Sequence, residues 1–538
     1  MKTPLKTPLS GRLLLYGRRL CATAGFLLLT LLFVTAGKAL PEAGQFMTDI
    51  QLVPAILTGA WLIVLLLALL TLLFGRVYCS VICPLGIFQD VLGRLYNWRR
   101  KRRFYYRPPA RLLRPAIAAV FLVALLFGNT LFVTLLEPYS LYGIMGVHTL
   151  KQGWIALNNS LAQVAVLAQP LGLYPLPYSN LATASVLLAI ALALFFAVYV
   201  LLRGRDYCAR ICPVGTILGW LGRFALFRVR FDESRCVGCR RCEQACKTSC
   251  VDFAAQTIDY SRCVVCLNCL AGCRHEALAY RLPRFGKSGA SHRLAEQEGQ
   301  GTNEKRQAVA HAGRRQFLQI HAAAVTGAGV LLMTQARQGL AAPTGTESEI
   351  SQRVAQTPPG SRSREHFSRR CTACQLCVAR CPTLVLRPST GEYGLLQIMQ
   401  PRMDFRRGYC NYDCVICTEV CPSGALLPLT VQQKHETQTG NVQFIQHLCV
   451  VESKKQSCGA CAEHCPSLAV KMVPYDKAPG LTIPEITPDL CVGCGACEHA
   501  CPVVPDKAIY VQGLLSHKKA RILPKGQQIH RQVDGFGF

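Results

Sequence analysis

The stretch CVGCRRCEQAC, residues 236–246, is followed by CVVCLNCLAGC, residues 263–273, and both have the spacing C-x2-C-x2-C-x3-C. This spacing lets three thiolates on one short loop hold three corners of a cubane, while the fourth cysteine reaches the neighbouring cubane. A zinc ribbon would instead need two separated C-x2-C pairs without a third cysteine in register. The two stretches therefore predict a small domain with two 4Fe–4S clusters.

The two motifs exchange their fourth cysteines in this arrangement. One cluster is expected to bind Cys236, Cys239, Cys242 and Cys273, and the other Cys246, Cys263, Cys266 and Cys269. Cys250 is close enough in sequence to compete with Cys246. The proline that commonly follows the fourth cysteine is absent, and Lys247 and Arg274 stand in its place.

The C-terminal third contains four further cysteine groups, and such repetition indicates one structural unit used again. The groups are Cys371, Cys374, Cys377, Cys381; Cys410, Cys414, Cys417, Cys421; Cys449, Cys458, Cys461, Cys465; and Cys491, Cys494, Cys497, Cys501. Each ends before a proline, and the longer first spacers of the second and third groups cost a loop little entropy. We expect four more 4Fe–4S clusters, six in all. By analogy with other four-cluster subunits, we expect the first group to pair with the fourth and the second with the third.

The composition indicates that part of the chain lies in a membrane. The 538 residues have a mean hydropathy of +0.25 and only 17% charged residues, too apolar for an ordinary soluble enzyme. Four apolar runs, residues 20–36, 52–74, 112–136 and 181–202, approach the roughly 20 residues that a helix needs to cross a bilayer. They predict four transmembrane helices, with Cys21 in the core.

The basic residues set the expected orientation. They lie before the first run, between the second and third, and after the fourth, so the positive-inside rule makes these segments cytoplasmic. Lys and Arg outnumber Asp and Glu by 59 to 30, but a juxtamembrane cluster such as residues 99–103 is more commonly a topology and headgroup determinant than an RNA-binding patch. Each cluster with its thiolates also adds about two negative charges. No nucleic-acid partner is expected.

A second targeting signal follows a polar linker. Arg314 and Arg315, with Phe317 and Leu318, a modestly apolar stretch and small residues up to Ala341, resemble a twin-arginine export signal. A fifth ordinary transmembrane helix is the alternative. Because clusters are inserted in the cytoplasm and hold the fold together, a loaded domain must cross already folded. The four-cluster domain is therefore expected to be periplasmic.

The second and fourth apolar runs are each followed by a C-x3-C-P motif, YCSVICPLG with Cys79 and Cys83, and YCARICPVG with Cys208 and Cys212. The duplication suggests two related helix pairs with their motifs just inside the cytoplasmic face, where a disulfide is not the default. Two cysteines cannot complete a cubane. The four together could ligate a metal or contact a partner, and a structural role at a helix end is the alternative. The chain has no C-x2-C-H, G-x-G-x-x-G or P-loop motif, so haem, flavin, nicotinamide and nucleotide binding are not indicated.

These motifs together resemble two known families. Residues 1 to about 283, with the paired C-x3-C-P motifs and the stretches CVGCRRCEQAC and CVVCLNCLAGC, resemble the NapH/MauN family of membrane ferredoxin-type proteins. Residues from about 314 to 538, with the twin-arginine start and four cysteine groups, resemble the NapG/MauM family of exported ferredoxin-type proteins. The chain looks like a fusion of the two. The resemblance implies a quinol dehydrogenase that passes electrons from the membrane quinone pool to a periplasmic cytochrome or terminal reductase.

Quinol oxidation needs a proton acceptor near the headgroup level and a nearby one-electron acceptor. Glu137 in LLEPYSLYG and His148 are the candidates on the outer side, with Tyr139 between them, although an acid at a helix end is more commonly a solvated boundary residue. The cytoplasmic clusters are then a possible entry point for a cytoplasmic electron donor. Two rival functions stay open, a redox maturation factor for a periplasmic metalloenzyme and a redox sensor that uses the C-x3-C-P thiols.

The expected fold is an α-helical membrane module, with four spans plus a fifth twin-arginine-like span, joined to two small α+β bacterial ferredoxin-like domains. The expected boundaries are 1–230 for the membrane module, 231–283 for the cytoplasmic two-cluster domain, 284–313 for a polar linker, 314–342 for the twin-arginine-like segment, 343–368 for a second linker and 369–538 for the periplasmic four-cluster domain. This organisation predicts a multi-pass protein of the bacterial inner membrane, with residues 231–313 cytoplasmic and residues 343–538 periplasmic.

Overall fold

The computed structural model describes residues 9–35, 42–99, 103–165, 174–179, 181–282 and 353–523. The polar linker and the twin-arginine-like segment lie outside these ranges. The expected second linker, residues 343–368, differs from the structure, because from residue 353 onwards the chain packs into the C-terminal domain. The Gln356 amide donates to Thr439 Oγ1 at 2.6 Å and to the Gly493 carbonyl at 2.7 Å.

The N-terminal module is helical. Its elements are α1 (Leu9–Val34), α2 (Glu42–Asp49), α3 (Leu52–Thr58), α4 (Trp61–Phe74), α5 (Tyr78–Val81), α6 (Pro84–Arg99), α7 (Leu113–Leu126), α8 (Thr130–Leu136), α9 (Pro138–Met145), a π-helical turn (Gly146–Leu150), α10 (Lys151–Ala165), α11 (Thr183–Arg203), α12 (Asp206–Arg210) and α13 (Pro213–Gly222). Many large apolar side chains point outward, among them Leu62 and Leu126. Such a continuous apolar exterior marks a surface that is covered by lipid or by another apolar partner.

Within the described residues, two helices are long and apolar enough to cross a membrane, Leu13–Val34 within α1 and Thr183–Arg203, which is α11. The expected second and third spans are each interrupted, between α3 and α4 at Gly59 (φ 75°) and between α7 and α8 at Gly128 (φ 66°). A left-handed glycine commonly ends a helix. A further candidate span is sharply bent, by 84° where α8 meets the helix that begins at Pro138. The count of four spans stays a prediction.

The two-cluster domain consists of β1 (Arg228–Phe231), α14 (Arg241–Gln244), β2 (Val251–Asp252), β3 (Thr257–Ile258), α15 (Asn268–Gly272) and β4 (Leu278–Arg281). Strand β1 pairs antiparallel with β4, and β2 with β3. Each short helix follows a cysteine loop, so the strands frame two loop–helix units.

The four-cluster domain repeats this plan. It contains α16 (Arg364–Arg370), α17 (Leu376–Arg380), β5 (Leu386–Pro388), β6 (Pro401–Met403), α18 (Ile416–Glu419), α19 (Val431–His435), β7 (Thr437–Phe444), α20 (Val450–Ser453), α21 (Ala460–Glu463), β8 (Val470–Pro474), β9 (Thr482–Ile486), α22 (Ala496–Ala500) and β10 (Ile509–Lys519). The antiparallel pairs are β5 with β6, β7 with β10 and β8 with β9.

The two cluster domains contact opposite ends of α1. This helix packs against α15 of the two-cluster domain and against α17 of the four-cluster domain. At the latter end Arg380 donates to Thr35 Oγ1 at 3.0 Å, and Lys151 Nζ donates to the Ala379 carbonyl at 2.5 Å. With 26 residues, α1 is about 39 Å long, which exceeds the hydrocarbon thickness of a bilayer.

Candidate iron–sulfur sites and a buried polar pocket

The cysteines of the two-cluster domain line two separate cavities. One cavity is lined by Cys236, Cys239, Cys242 and Cys273. The other is lined by Cys246, Cys263, Cys266 and Cys269, together with Cys250. The structure thus brings together the two expected ligand sets. It also places the Cys250 sulfur 3.5 Å from that of Cys246, so both thiols face the second cavity.

The four C-terminal groups also exchange their fourth cysteines, but between neighbouring groups. Cys501 lines one cavity with the first three cysteines of the third group, and Cys465 lines another with those of the fourth. In the first two groups, Cys421 lies within electrostatic reach of Cys371, Cys374 and Cys377, and Cys381 lies within reach of Cys410 and Cys417.

The expected pairing of first with fourth and second with third is therefore wrong. The short helices that carry the third cysteines decide the pairing, because α17 packs on α18 and α21 packs on α22. Helix packing of this kind leaves no trace in cysteine spacing, since the spacing is compatible with either pairing.

The four cysteine sites of the C-terminal domain follow one another away from the module. The Cys374 carbonyl, beside the first cavity, lies against Gly143 of α9, where any Cβ would collide with it. The Cys410 amide, beside the second cavity, donates to the Cys494 carbonyl at 2.9 Å. The order is therefore first, second, fourth and third group, with the third farthest along.

The surroundings of these cavities fit an anionic cluster. Lys434 is buried and donates to the carbonyls of Asn411 and Cys414. Burial by itself would lower the pKa of Lys434, but the thiols of Cys410 and Cys417 outweigh it and raise the pKa. A buried ammonium next to several thiols is expected where the sulfurs carry negative charge. Among the described residues, no three Cys, His, Asp or Glu side chains converge tightly enough to hold a single metal ion.

The cysteine loops also contain an unusual backbone conformation. The residue before the short helix is left-handed in four of the six groups, at Arg240 (φ 55°), Leu267 (φ 60°), Gln375 (φ 65°) and Gly495 (φ 77°). The groups without it are the two with longer first spacers. Non-glycine residues adopt this conformation at a cost of about 1–3 kcal/mol and cluster at functional sites. The short spacer forces the loop to curl tightly around the cavity.

The C-x3-C-P cysteines of both motifs come together. Cys79, Cys83, Cys208 and Cys212 are all buried, and Cys83 lies within electrostatic reach of the other three. The Gly215 amide donates to Cys212 Sγ at 3.3 Å, so this sulfur caps α13. Cys21, expected in the core, is exposed on α1.

Glu137 and His148 are both buried rather than solvated, at 1% and 2% exposure. Glu137 caps α9 and accepts from the Ser140 amide. His148 lies in the π-helical turn with Nδ1 3.0 Å from the Ile144 carbonyl. Its Nε2 and the Tyr139 hydroxyl have no hydrogen-bond partner within the described part of the chain.

The two candidate quinol residues do not form one site. They are 11 positions apart along an almost continuous helix, which corresponds to about 16 Å. Tyr139 is the closer companion of Glu137, and it lies within electrostatic reach of both Glu137 and Cys374. Glu137 and Tyr139 therefore form a buried polar pair near the first C-terminal cysteine group, with His148 apart from them.

Comparisons with known proteins cover both halves of the chain. A family model described as a 4Fe-4S binding domain matches twice, at residues 57–103 and 185–232, and a 4Fe-4S dicluster domain model matches residues 456–504. The chain is 28% identical over 154 residues to the ferredoxin-type protein NapF of Escherichia coli K12, which is 29% of this chain and 84% of NapF.

Two further relatives match a slightly longer segment. The ferredoxin-type protein NapG of Escherichia coli K12 is 28% identical over 206 residues, 37% of this chain and 85% of NapG. The methylamine utilization ferredoxin-type protein MauM of Methylorubrum extorquens is 30% identical over 187 residues, 33% of this chain and 80% of MauM. No solved structure matches the chain.

Proposed function

Since the chain belongs to the family of iron–sulfur ferredoxin-type proteins that includes MauM, we propose that it is a quinol dehydrogenase of the bacterial inner membrane. In this proposal residues 1–283 form a NapH/MauN-like multi-pass module fused to the exported four-cluster domain. Quinol from the membrane pool supplies electrons, and a periplasmic cytochrome or reductase receives them.

The observation that carries this proposal is the position of Glu137 and Tyr139. Both are buried, the Tyr139 hydroxyl has no hydrogen-bond partner among the described residues, and Tyr139 lies within electrostatic reach of Cys374 and Cys421. A buried polar group without a partner is costly, so a ligand oxygen that pairs with the hydroxyl would be favoured there. A quinol headgroup offers such oxygens together with an apolar body.

Glu137 and Tyr139 have distinct roles in this proposed quinol pocket. Tyr139 would donate to one quinol oxygen and orient the ring. The Glu137 carboxylate would accept the two quinol protons one after the other and release each to the outer side, as the two electrons leave singly to the neighbouring cluster. Burial keeps bulk water away from both groups. A 4Fe–4S cluster at Cys371, Cys374, Cys377 and Cys421 would supply one-electron acceptance next to the pocket.

The order of the other three cysteine sites suggests a path for the electrons through the four-cluster domain. They lead from Cys374 at the module, through Cys410 and Cys494, to the third group. Lys454 and Lys455 are exposed beside this last group. We therefore place the docking site of the periplasmic partner at this end, where an acidic surface would be attracted.

The proposal is tested by quinol oxidation with the purified full-length chain in detergent, using an artificial electron acceptor. We expect Glu137→Gln to lower the rate by about 10²-fold, because a positioned general base contributes roughly that much. The matched control is Glu365→Gln, since Glu365 is an exposed acid of α16 with an ion pair to Arg369 at 2.8 Å. Equal rates in the two variants would contradict the assigned pocket.

The similarity to MauM leaves a second candidate open, a redox maturation factor for a periplasmic metalloenzyme. In that function the clusters would deliver electrons once, while a partner cofactor is installed. The same assay separates the two functions, because a maturation factor would show a single round of cluster reduction and no sustained turnover.

A further inference from the structure

The two C-x3-C-P motifs are parts of a longer duplicated sequence. Residues 75–86 read GRVYCSVICPLG and residues 204–215 read GRDYCARICPVG. The shared pattern is G-R-x-Y-C-x2-I-C-P-x-G. Both copies begin with a glycine of positive φ, Gly75 at 74° and Gly204 at 68°, so the copies also share a backbone conformation.

The two copies pack reciprocally. Arg76 of the first copy donates to the Cys208 carbonyl at 2.8 Å, and Arg205 of the second donates to the Cys79 carbonyl at 2.5 Å. The final glycines repeat this exchange, because a Cβ at Gly86 would lie 2.5 Å from Arg205 Nη2 of the second copy, and one at Gly215 would lie 2.6 Å from Arg76 Nη2 of the first. The two motifs therefore form one joint site with approximate two-fold symmetry.

Several N–H donors point at the sulfurs of this joint site. Arg76 Nη2 lies 3.6 Å from Cys79 Sγ, and the Gln89 amide lies 3.5 Å from Cys208 Sγ. The alternative role at a helix end accounts for the second cysteine of each motif, since α6 and α13 begin immediately after Cys83 and Cys212. It does not account for Cys79 and Cys208, which precede those ends and receive the side-chain donors.

The charge of the site requires an anion. Arg76 is fully buried, and among the described residues no carboxylate forms an ion pair with it. Arg205 is also buried, and it shares Asp90 with Lys247 and Arg18. A buried guanidinium without a counter-charge is strongly destabilising. Four neutral thiols would leave Arg76 uncompensated, whereas a cubane with four thiolates carries about two negative charges.

We propose that Cys79, Cys83, Cys208 and Cys212 together hold one additional 4Fe–4S cluster, with Arg76 and Arg205 as its counter-charges. Neither motif alone completes this site. Arg76 also donates to the Ser261 carbonyl at 3.1 Å, two residues before Cys263, so the cluster adjoins that of Cys246, Cys263, Cys266 and Cys269. It exchanges single electrons with that neighbour, each electron lost by one cluster being gained by the other. The proposal does not depend on quinol as the substrate.

The test is the iron content of the full-length chain after reconstitution with iron and sulfide to saturation. We expect about 28 iron atoms per chain instead of the about 24 of six cubanes. The double variant Cys79→Ser, Cys208→Ser should saturate about four atoms lower, while Cys21→Ser, an exposed thiol on α1, should not. Saturation of the wild type at about 24, or one zinc ion per chain lost with the double variant, would overturn the proposal.

If the double variant fails to fold, the single variant Cys208→Ser tests the same cluster. Cys208→Ser leaves three thiols at the site, and three-thiolate cubanes readily lose one iron. We expect the EPR signal of an oxidised 3Fe–4S cluster that wild-type protein and Cys21→Ser lack. A folded Cys208→Ser protein with unchanged iron content and no new signal would contradict the cluster.

Discussion

Lys247 illustrates at the residue scale how a departure from a motif can serve domain docking. It occupies the position where the C-terminal groups have proline, and its ammonium lies 3.1 Å from Asp90 of α6. Its carbonyl accepts from the Arg205 amide at 2.9 Å. Sequence inspection identifies the missing proline, but Asp90 lies 157 positions away, so only the folded chain supplies the reason.

The cysteine ligand sets of the two-cluster domain can be predicted from the sequence, whereas the arrangement of the candidate quinol residues cannot. Cysteine spacing brings the correct sets together for the two-cluster domain, because three ligands of each cavity come from one short loop. Glu137 and His148 are chosen from the sequence for residue type and depth, which indicates neither their burial nor their separation. The Tyr139 hydroxyl lacks a hydrogen-bond partner among the described residues, and sequence does not predict this because it results from the packing of α9 against the four-cluster domain.

His517 of β10 gives a pH prediction. Burial lowers its pKa to about 4, below the roughly 6.5 of an unfolded histidine. Its Nε2 lies 2.9 Å from Thr357 Oγ1. Because the unfolded chain takes up the proton first, the stabilisation is complete above pH 6.5 and is lost progressively as pH falls towards 4.

We expect the wild type to lose on the order of 1 kcal/mol of unfolding free energy between pH 7 and pH 5 through this residue. The variant His517→Gln should lack that part of the pH dependence, and His447→Gln, at an exposed position, should keep it. Thermal unfolding midpoints at both pH values, followed by loss of cluster absorbance, provide the measurement. Identical pH slopes in all three proteins would remove His517 as the cause.

At the scale of elements, hydropathy locates the apolar runs but not their interruptions. Gly128 separates α7 from α8, and a Cβ there would be 3.0 Å from the Arg369 side chain of the four-cluster domain. The interruption therefore coincides with a contact between two distant parts of the chain. The hydropathy of a segment contains no information about a contact with a distant part of the chain. The predicted third span, residues 112–136, is therefore longer than either of the two helices that it contains, α7 and α8.

Two glycines on one helical stretch make the docking of the four-cluster domain testable. A Cβ at Gly143 in α9 would collide with the Cys374 carbonyl, whereas one at Gly153 in α10 would meet nothing within 4 Å. We expect Gly143→Ala to destabilise the protein by about 1–3 kcal/mol through overpacking. Gly153→Ala should stabilise it by about 0.5–1 kcal/mol through helix propensity. The measurement is the thermal unfolding midpoint of both variants in the same detergent. Midpoints that shift in the same direction in the two variants would contradict the contact between α9 and the four-cluster domain.

At the scale of the whole molecule, α1 connects the two cluster domains. Its first part lies beside α15 and its last turn beside α17, so a bilayer around α1 would separate the domains. The basic flanks predict which domain is inside. The order of the cysteine groups and their number are readable from the sequence, whereas the packing of both domains onto one module is visible only in the folded structure.

This arrangement predicts opposite accessibility of two epitope tags. A tag after Phe538 should be digested when spheroplasts are treated with protease, and a tag inserted within residues 284–313 should be protected until the membrane is permeabilised. If Arg314 and Arg315 belong to the predicted twin-arginine export signal, replacing both with lysine should protect the C-terminal tag as well. Protection of the C-terminal tag in the unmodified chain would contradict the periplasmic assignment.

The pairing of adjacent cysteine groups has a consequence for biogenesis. All ligands of the first two C-terminal sites lie between Cys371 and Cys421, so that half is chemically complete while the ribosome still has the later groups to translate. A nested arrangement would have left the earliest cysteines waiting for Cys501. We therefore expect cofactor loading to proceed from the N-terminal half to the C-terminal half of this domain, in step with synthesis.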